Sequence, residues 1–200
     1  GRARFLGKLG FSEFAARAVQ KLEEEGIDTS LVVRAEGYEP ITAFVFIDSE
    51  TGQRTIFFSR KGVDYPSPHE IPSRDWVQQT KVFLFTGGSG RKGIEAALRA
   101  RKAGRPTIID LERIESKTDE VLEASDHIVV GEEFAREYTG LSTVEKMLDA
   151  LRGHRNQTVV ITRGEQGSAG LSIEGYFDVP AYPVRAVDTT GCGDVYHGAY

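Results

Sequence analysis

Apolar positions along the chain change their spacing three times, and each change marks a different kind of element. Residues 12–30, SEFAARAVQKLEEEGIDTS, open on a serine cap, carry apolar side chains at helical intervals and stop at Gly26, which predicts an amphipathic helix. The period then shortens. LVVR (31–34), ITAFVFID (41–48) and RTIFFSR (54–60) are short β-branched and aromatic runs, the last two joined by SETGQ (49–53), a polar link suited to a hairpin. After the turn-rich GVDYPSPHEIPS, apolar runs alternate with helical patterns. The predicted order is strand KVFLF, helix 91–103, strand PTIID, helix LERIESKTDEVLEAS, strand HIVV, helices EEFAREYTG and TVEKMLDALRG, and strand TVVIT. Strands apolar on both faces and separated by helices imply a parallel sheet in an α/β fold. From Gly167 the pattern returns to short strands, SAGLSI and YFDVPA.

Composition narrows the function more than the fold. The chain has 200 residues, 40% hydrophobic and 28% charged, with a net charge of −5 spread along its length. That describes an ordinary globular chain without the basic stripe that a nucleic-acid backbone requires. Cys192 is the one cysteine, so no internal disulfide forms, and His69, His127, His154 and His197 lack zinc-ligand spacing. The opening GRARFLGKLG has no signal-peptide core, and the longest apolar run, ITAFVFI, is too short to cross a bilayer. The expectation is a reduced, cytoplasmic protein with no membrane role.

Two glycine-rich stretches carry candidate chemistry. Gly88, Gly90 and Gly93 follow a predicted strand in G-x-G-x-x-G spacing, and Asp110 ends the next strand. This matches the dinucleotide fingerprint and opens an NAD-dependent oxidoreductase as one reading. Tight strand-to-helix turns need glycine for backbone reasons as well, and that structural reading is preferred. No G-K-[ST] follows to make a Walker A loop. The second stretch, DTTGCGDVYHGAY (188–200), is chemically more demanding. Gly191, Cys192 and Gly193 would present backbone N–H groups at a helix start, a site for the charge on a transferring phosphoryl group. Asp194, directly behind them, could take the proton of an attacking hydroxyl. The competing reading is that Asp194 only favours the helix dipole and Asp188 only caps a turn.

DTTGCGD followed by VYHGAY resembles the D-T-x-G-x-G-D signature of the ribokinase-like (PfkB) carbohydrate kinases, with His197 where many members carry Asn. FLGKLGFSEFA resembles the early glycine-rich step of that family, the hairpin at 41–60 its sugar-covering lid, and TRGEQGS (162–168) its T-x-G-x-x-G nucleotide segment. The resemblance implies a ribokinase-like, mostly parallel sheet flanked by helices, with residues 1–29 and 63–200 as α/β core and 30–62 as a small β lid. It implies Asp194 as catalytic base and Gly191, Cys192 and Gly193 as anion hole. Thr162, Gly164 and Gly167 become nucleotide contacts, Asp188 and Thr190 support for a loop or a monovalent cation, and Asp110 and His197 pointers to the substrate. ATP and Mg²⁺ are the implied cofactors, a sugar or sugar derivative the acceptor, and a homodimer through the lid the implied assembly.

Departures from the family pattern limit the reading. Where members carry N-x-x-E after the strand HIVV, this chain has Gly131 and Phe134; Glu132 or Glu133 would have to place magnesium through water instead, and the competing, preferred reading of each is a solvated first-turn acid. The early step has Phe11 and Ser12 in place of aspartate. The chain starts after the family's first strand and stops inside the helix behind the catalytic motif, so a fragment of low stability and activity is expected. A nucleoside kinase and a non-catalytic nucleotide- or sugar-binding relative remain alternatives to the sugar kinase.

Overall fold

The computed structural model describes residues 2–48, 54–73, 75–153 and 157–200. The predicted link SETGQ and His154 therefore lie outside the described residues. The chain divides into two compact units, Gly1–Trp76 with Ala186–Thr190, and Val77–Arg185 with Gly191–Tyr200.

In the first unit, β1 (Lys8–Leu9) pairs in parallel with β2 (Val33–Arg34), and α1 (Glu13–Glu24) lies between them in sequence. Ser12 caps α1 by accepting from the Ala15 N–H at 3.1 Å, as the serine start predicted. Leu9, Ala15 and Val32 bury a small core joined by Val19. The strand at Lys8–Leu9 has no sequence signal, because a two-residue strand carries no period. β3 (Thr42–Ile47) and β4 (Arg54–Ser59) form the predicted antiparallel ribbon, with Phe44 opposite Phe57 and Val45 opposite Ile56. Every described side chain of this ribbon is exposed.

The second unit holds a six-stranded sheet in the order β10-β9-β8-β7-β6-β5. Its strands are β5 (Phe83–Thr86), β6 (Thr107–Leu111), β7 (His127–Gly131), β8 (Thr158–Thr162), β9 (Ser168–Ser172) and β10 (Gly175–Val179). β5 to β8 run parallel, and β9 and β10 close the edge antiparallel. Side chains alternate across a strand, so each buried strand supplies two faces. Ile109, Ile128, Val130, Val159 and Ile161 face a core completed by Ile94, Ala97, Phe134, Met147 and Leu148. These last residues come from α2 (Gly90–Lys102), α4 (Glu132–Thr139) and α5 (Val144–Leu151), and α3 (Thr118–Glu123) adds Val121 and Leu122. Ile108, Val129 and Val160 form a second cluster with Phe177 and Tyr196. Among the described residues no helix is long and apolar enough to cross a membrane.

Two predicted elements change on folding. The helix expected over 111–125 shrinks to α3, because Leu111 continues β6 in register with Val130 and Thr118 turns the chain by accepting the Glu115 N–H at 2.8 Å. The G-x-G-x-x-G stretch becomes a 3₁₀ turn at Gly87–Ser89 followed by α2. A Cβ at Gly93 would collide with the Ser89 side chain, and Gly90 has φ +56°. Close packing and backbone conformation thus account for two of its three glycines.

A polar knot organises the first unit. Lys8, almost buried, donates to Glu70 Oε1 at 2.6 Å and lies 4.2 Å from the Tyr38 ring centroid. The Ser67 N–H and hydroxyl donate to Glu70 Oε2 at 2.8 and 2.7 Å. These donors, Lys8 foremost, hold the Glu70 carboxyl at about 2, below its ordinary 4.5. A lowered folded value adds stability above the ordinary value and loses it as pH falls through the folded one. The destabilisation of Glu70→Gln relative to the parent, measured by urea unfolding, should therefore be full at neutral pH and shrink as pH drops from about 4.5 toward about 2. A difference independent of pH would contradict this.

Candidate functional site

The helix α6 (Cys192–Ala199) begins where the terminal motif predicts, and no side chain caps its N-terminus. Its cap residue Gly191 has φ +80°, a left-handed conformation that suits glycine, and no side chain caps the first turn. The N–H groups of Cys192, Gly193 and Asp194 belong to the turn that has no partners within a helix. Asp194 is exposed in this first turn, where the positive end of the helix dipole favours a carboxylate. Its Oδ2 lies 3.8 Å from the point a Cβ on Gly191 would occupy, so the carboxylate folds back over the helix start.

Three side chains fasten this helix to the sheet. Tyr196 donates to Ser168 Oγ on β9 at 3.0 Å and packs on Ile108, Val129 and Val160. His197 is buried, with Nδ1 2.7 Å from the Gly193 carbonyl oxygen and Nε2 3.2 Å from that of Val129 on β7. The Tyr200 hydroxyl meets His127 Nδ1, at the start of β7, at 2.8 Å. The helix therefore runs from the carboxyl ends of the parallel strands toward their amino ends, with its open turn at the edge where α/β sheets bind ligands.

Asp110, near the end of β6, shares the face of Ile108 by strand alternation, and its Oδ1 stands 3.5 Å from His197 Nε2. Burial pushes the Asp110 carboxyl above its ordinary value; His197 opposes the shift, and Glu112 and Asp194 add to it. The structure thus brings together Asp110, His197 and the Gly191–Asp194 turn, which the sequence could only name separately.

The remaining predicted residues occupy separate places. Thr162 ends β8 beside Gly131, and a 3₁₀ turn at Gly164–Gln166 leads to Gly167. This turn is closed by Arg163 N–H to Gly167 carbonyl at 2.8 Å, and Gly164 and Gly167 have φ +56° and +86°. A Cβ at Gly167 would strike the Val179 carbonyl. Asp188 and Thr190, which group with the first unit, make an Asx turn in which the Thr190 N–H donates to Asp188 Oδ1 at 2.8 Å. Glu132 is held by Arg136 at 2.5 Å, whereas Glu133 is exposed on the first turn of α4. Phe134 is core, stacked on Tyr138. Sequence reasoning missed Tyr196, Ser168, His127 and Tyr200. Helical spacing of Tyr196 and Tyr200, four residues apart, was the available signal.

Comparison with known proteins gives this geometry a context. The family model for pfkB family carbohydrate kinases matches residues 1–200. Fructokinase-1 of Oryza sativa subsp. japonica is 26% identical over 216 residues, covering 100% of this chain and 67% of the relative. A 5-dehydro-2-deoxygluconokinase of Clostridium perfringens is 27% identical, covering 98% and 64%, and the aminoimidazole riboside kinase of Salmonella typhimurium 26%, covering 99% and 66%. The chain thus spans about two thirds of the length of these relatives. In fold it matches a fructokinase with bound ATP from Xylella fastidiosa at TM-score 0.84 and 20% identity, covering 98% of this chain and 66% of that one.

The two glycines that flank Cys192 have different reasons to be glycine. Gly191 needs its left-handed backbone, whereas a Cβ at Gly193 would meet nothing within 4 Å. Gly191→Val should cost about 1–3 kcal/mol of stability through strain. Gly193→Val should change stability by no more than about 0.5 kcal/mol, as at an unconstrained surface position. Thermal unfolding of the two variants checks the contrast, and equal losses would contradict it.

Proposed function

Because the chain belongs to the pfkB family of carbohydrate kinases, we propose that it transfers the γ-phosphoryl group of ATP to a hydroxyl of a sugar or sugar derivative. The open first turn of α6, with Asp194 in it, is the observation that carries this reading. Asp194 accepts the acceptor's hydroxyl proton as the new oxygen–phosphorus bond forms and the bond to the β,γ-bridging oxygen breaks, releasing ADP. The N–H groups from Gly191 to Asp194 receive the charge on the transferring group, and Gly193 is bare there to let phosphate approach.

The other residues are assigned around that step. Thr162, Gly164 and Gly167 form a rigid turn that suits close backbone approach to a nucleotide. Asp188 and Thr190 support the loop ahead of the helix, where a monovalent cation would be held. Among the described residues no group of three or more His, Cys, Asp or Glu side chains could hold a metal. Mg²⁺ would enter with the phosphates and be held largely through water, with Glu133 contributing to the water shell. When bound, the ion would supply positive charge that offsets the charge of the phosphates. The aminoimidazole riboside kinase among the relatives keeps a nucleoside-like acceptor as the second reading.

A second copy of the chain is assigned to the β3–β4 ribbon. Phe44, Phe46 and Phe57 are each more than 60% exposed, and Phe46 meets Phe57 edge to face at 5.7 Å. An apolar ribbon of this kind marks an association surface.

Two outcomes are expected. Asp194→Asn keeps shape and a hydrogen bond but removes the base, so turnover with Mg-ATP and a panel of sugars, sugar acids and nucleosides should fall by about a hundredfold or more while ADP affinity holds. Near-normal turnover in a folded variant would remove Asp194 from the mechanism. Phe44→Ser combined with Phe57→Ser should convert a dimer to a monomer in sedimentation velocity, and an unchanged dimer would exclude the ribbon as the interface.

A further inference from the structure

The buried imidazole beneath α6 has more contacts than helix packing needs. A carbonyl oxygen only accepts, so the 2.7 Å contact with Gly193 requires an N–H on His197 Nδ1. Nε2 in turn faces the Val129 carbonyl at 3.2 Å and the Asp110 carboxyl at 3.5 Å. Both ring nitrogens thus face oxygen atoms of the protein, and burial raises the neighbouring Asp110 carboxyl above its ordinary value. Both nitrogens are therefore employed inside the protein, which leaves the ring no free edge for a substrate.

The contact with Gly193 reaches the reaction site through a single peptide group. The Gly193 carbonyl and the Asp194 N–H belong to one planar unit, and in the trans form they point in opposite directions. Within α6 the Gly193 carbonyl points along the helix toward His197 and the Asp194 N–H out of the open helix end, and the ring contact holds the peptide in that orientation. A ring N–H on the carbonyl also polarises the peptide and strengthens the donor at its other side. We propose that His197 is a positioning residue for phosphoryl transfer, orienting and polarising the Gly193–Asp194 peptide, and that Asp110 and the Val129 carbonyl hold the ring in place to do so.

This inference rests on the kinase reading, and two variants at His197 separate it from plain packing. His197→Phe fills the space without either donor, and His197→Asn keeps a short donor able to reach the carbonyl one helical turn back. With His197→Phe, kcat should fall by about tenfold or more, as when a donor to the transferring group is lost, with KM for ATP and acceptor within about threefold. His197→Asn should restore kcat to within about threefold of the parent. A fall in thermal stability with no such kcat effect, or no rescue by Asn, would overturn the proposal.

A second readout needs no turnover. The ¹⁵N-detected amide shift of Asp194 should move in His197→Phe and return toward the parent position in His197→Asn. An unmoved Asp194 amide overturns the positioning claim even in an active enzyme. A parent that phosphorylates nothing in the acceptor panel overturns the kinase reading instead, whatever the amide shows. If His197→Phe does not fold, Asp110→Asn takes its place. It releases the ring from one side, so the Asp194 amide should shift and kcat should fall with KM held. An Asp110→Asn enzyme with parent kcat and an unmoved amide would refute the proposal.

Discussion

A helix can offer its N-terminal amides to a ligand only if nothing else satisfies them and the helix is held in place by other means. α6 meets both conditions. Its cap is a left-handed glycine with no side chain to give, and its hold on the sheet comes from Tyr196, His197 and Tyr200, spread over its last turn and a half. The open turn gains no stability from capping, a loss of about 1 kcal/mol that the contacts further along the helix offset. Placing a carboxylate in the same turn costs little, because the helix dipole favours it there.

Sheet alternation decides what lies under that helix. On β6 and β7, Ile109, Leu111, Ile128 and Val130 turn toward α2–α5, so Ile108, Asp110 and Val129 turn to the other side. Asp110 on that face is half-buried, and His197 is the side chain that meets it. Burial of polar groups here is thus tolerated because each has a partner.

Much of this was legible in the residues. The alternating strands and helices between Lys81 and Thr162 gave an α/β fold with a parallel centre, and DTTGCGD pointed to the helix start and its acid. The family matched over residues 1–200 is the one that this motif resembles. The pairing of Asp110 with His197 was not legible, because it depends on which strand face each residue takes and on two strands meeting one helix. Both residues had been singled out, yet separately. The glycines at 88, 90 and 93 show the opposite case, a strong-looking pattern whose spacing follows at Gly90 and Gly93 from backbone conformation and a crowded turn. β1 was invisible because a two-residue strand has no periodicity, whereas β2 falls inside the β-branched run LVVR, and α3 is short because a strand claims the start of its predicted span.

The account stands on phosphate meeting the backbone at the start of α6. Chemical-shift mapping of backbone amides with Mg-ADP and aluminium fluoride, a stand-in for the transferring phosphoryl group, tests that directly. The account predicts that adding the fluoride to the Mg-ADP complex moves the amides of Cys192, Gly193 and Asp194 most. Shifts centred on Gly88–Gly93, with those three amides unmoved, would contradict it.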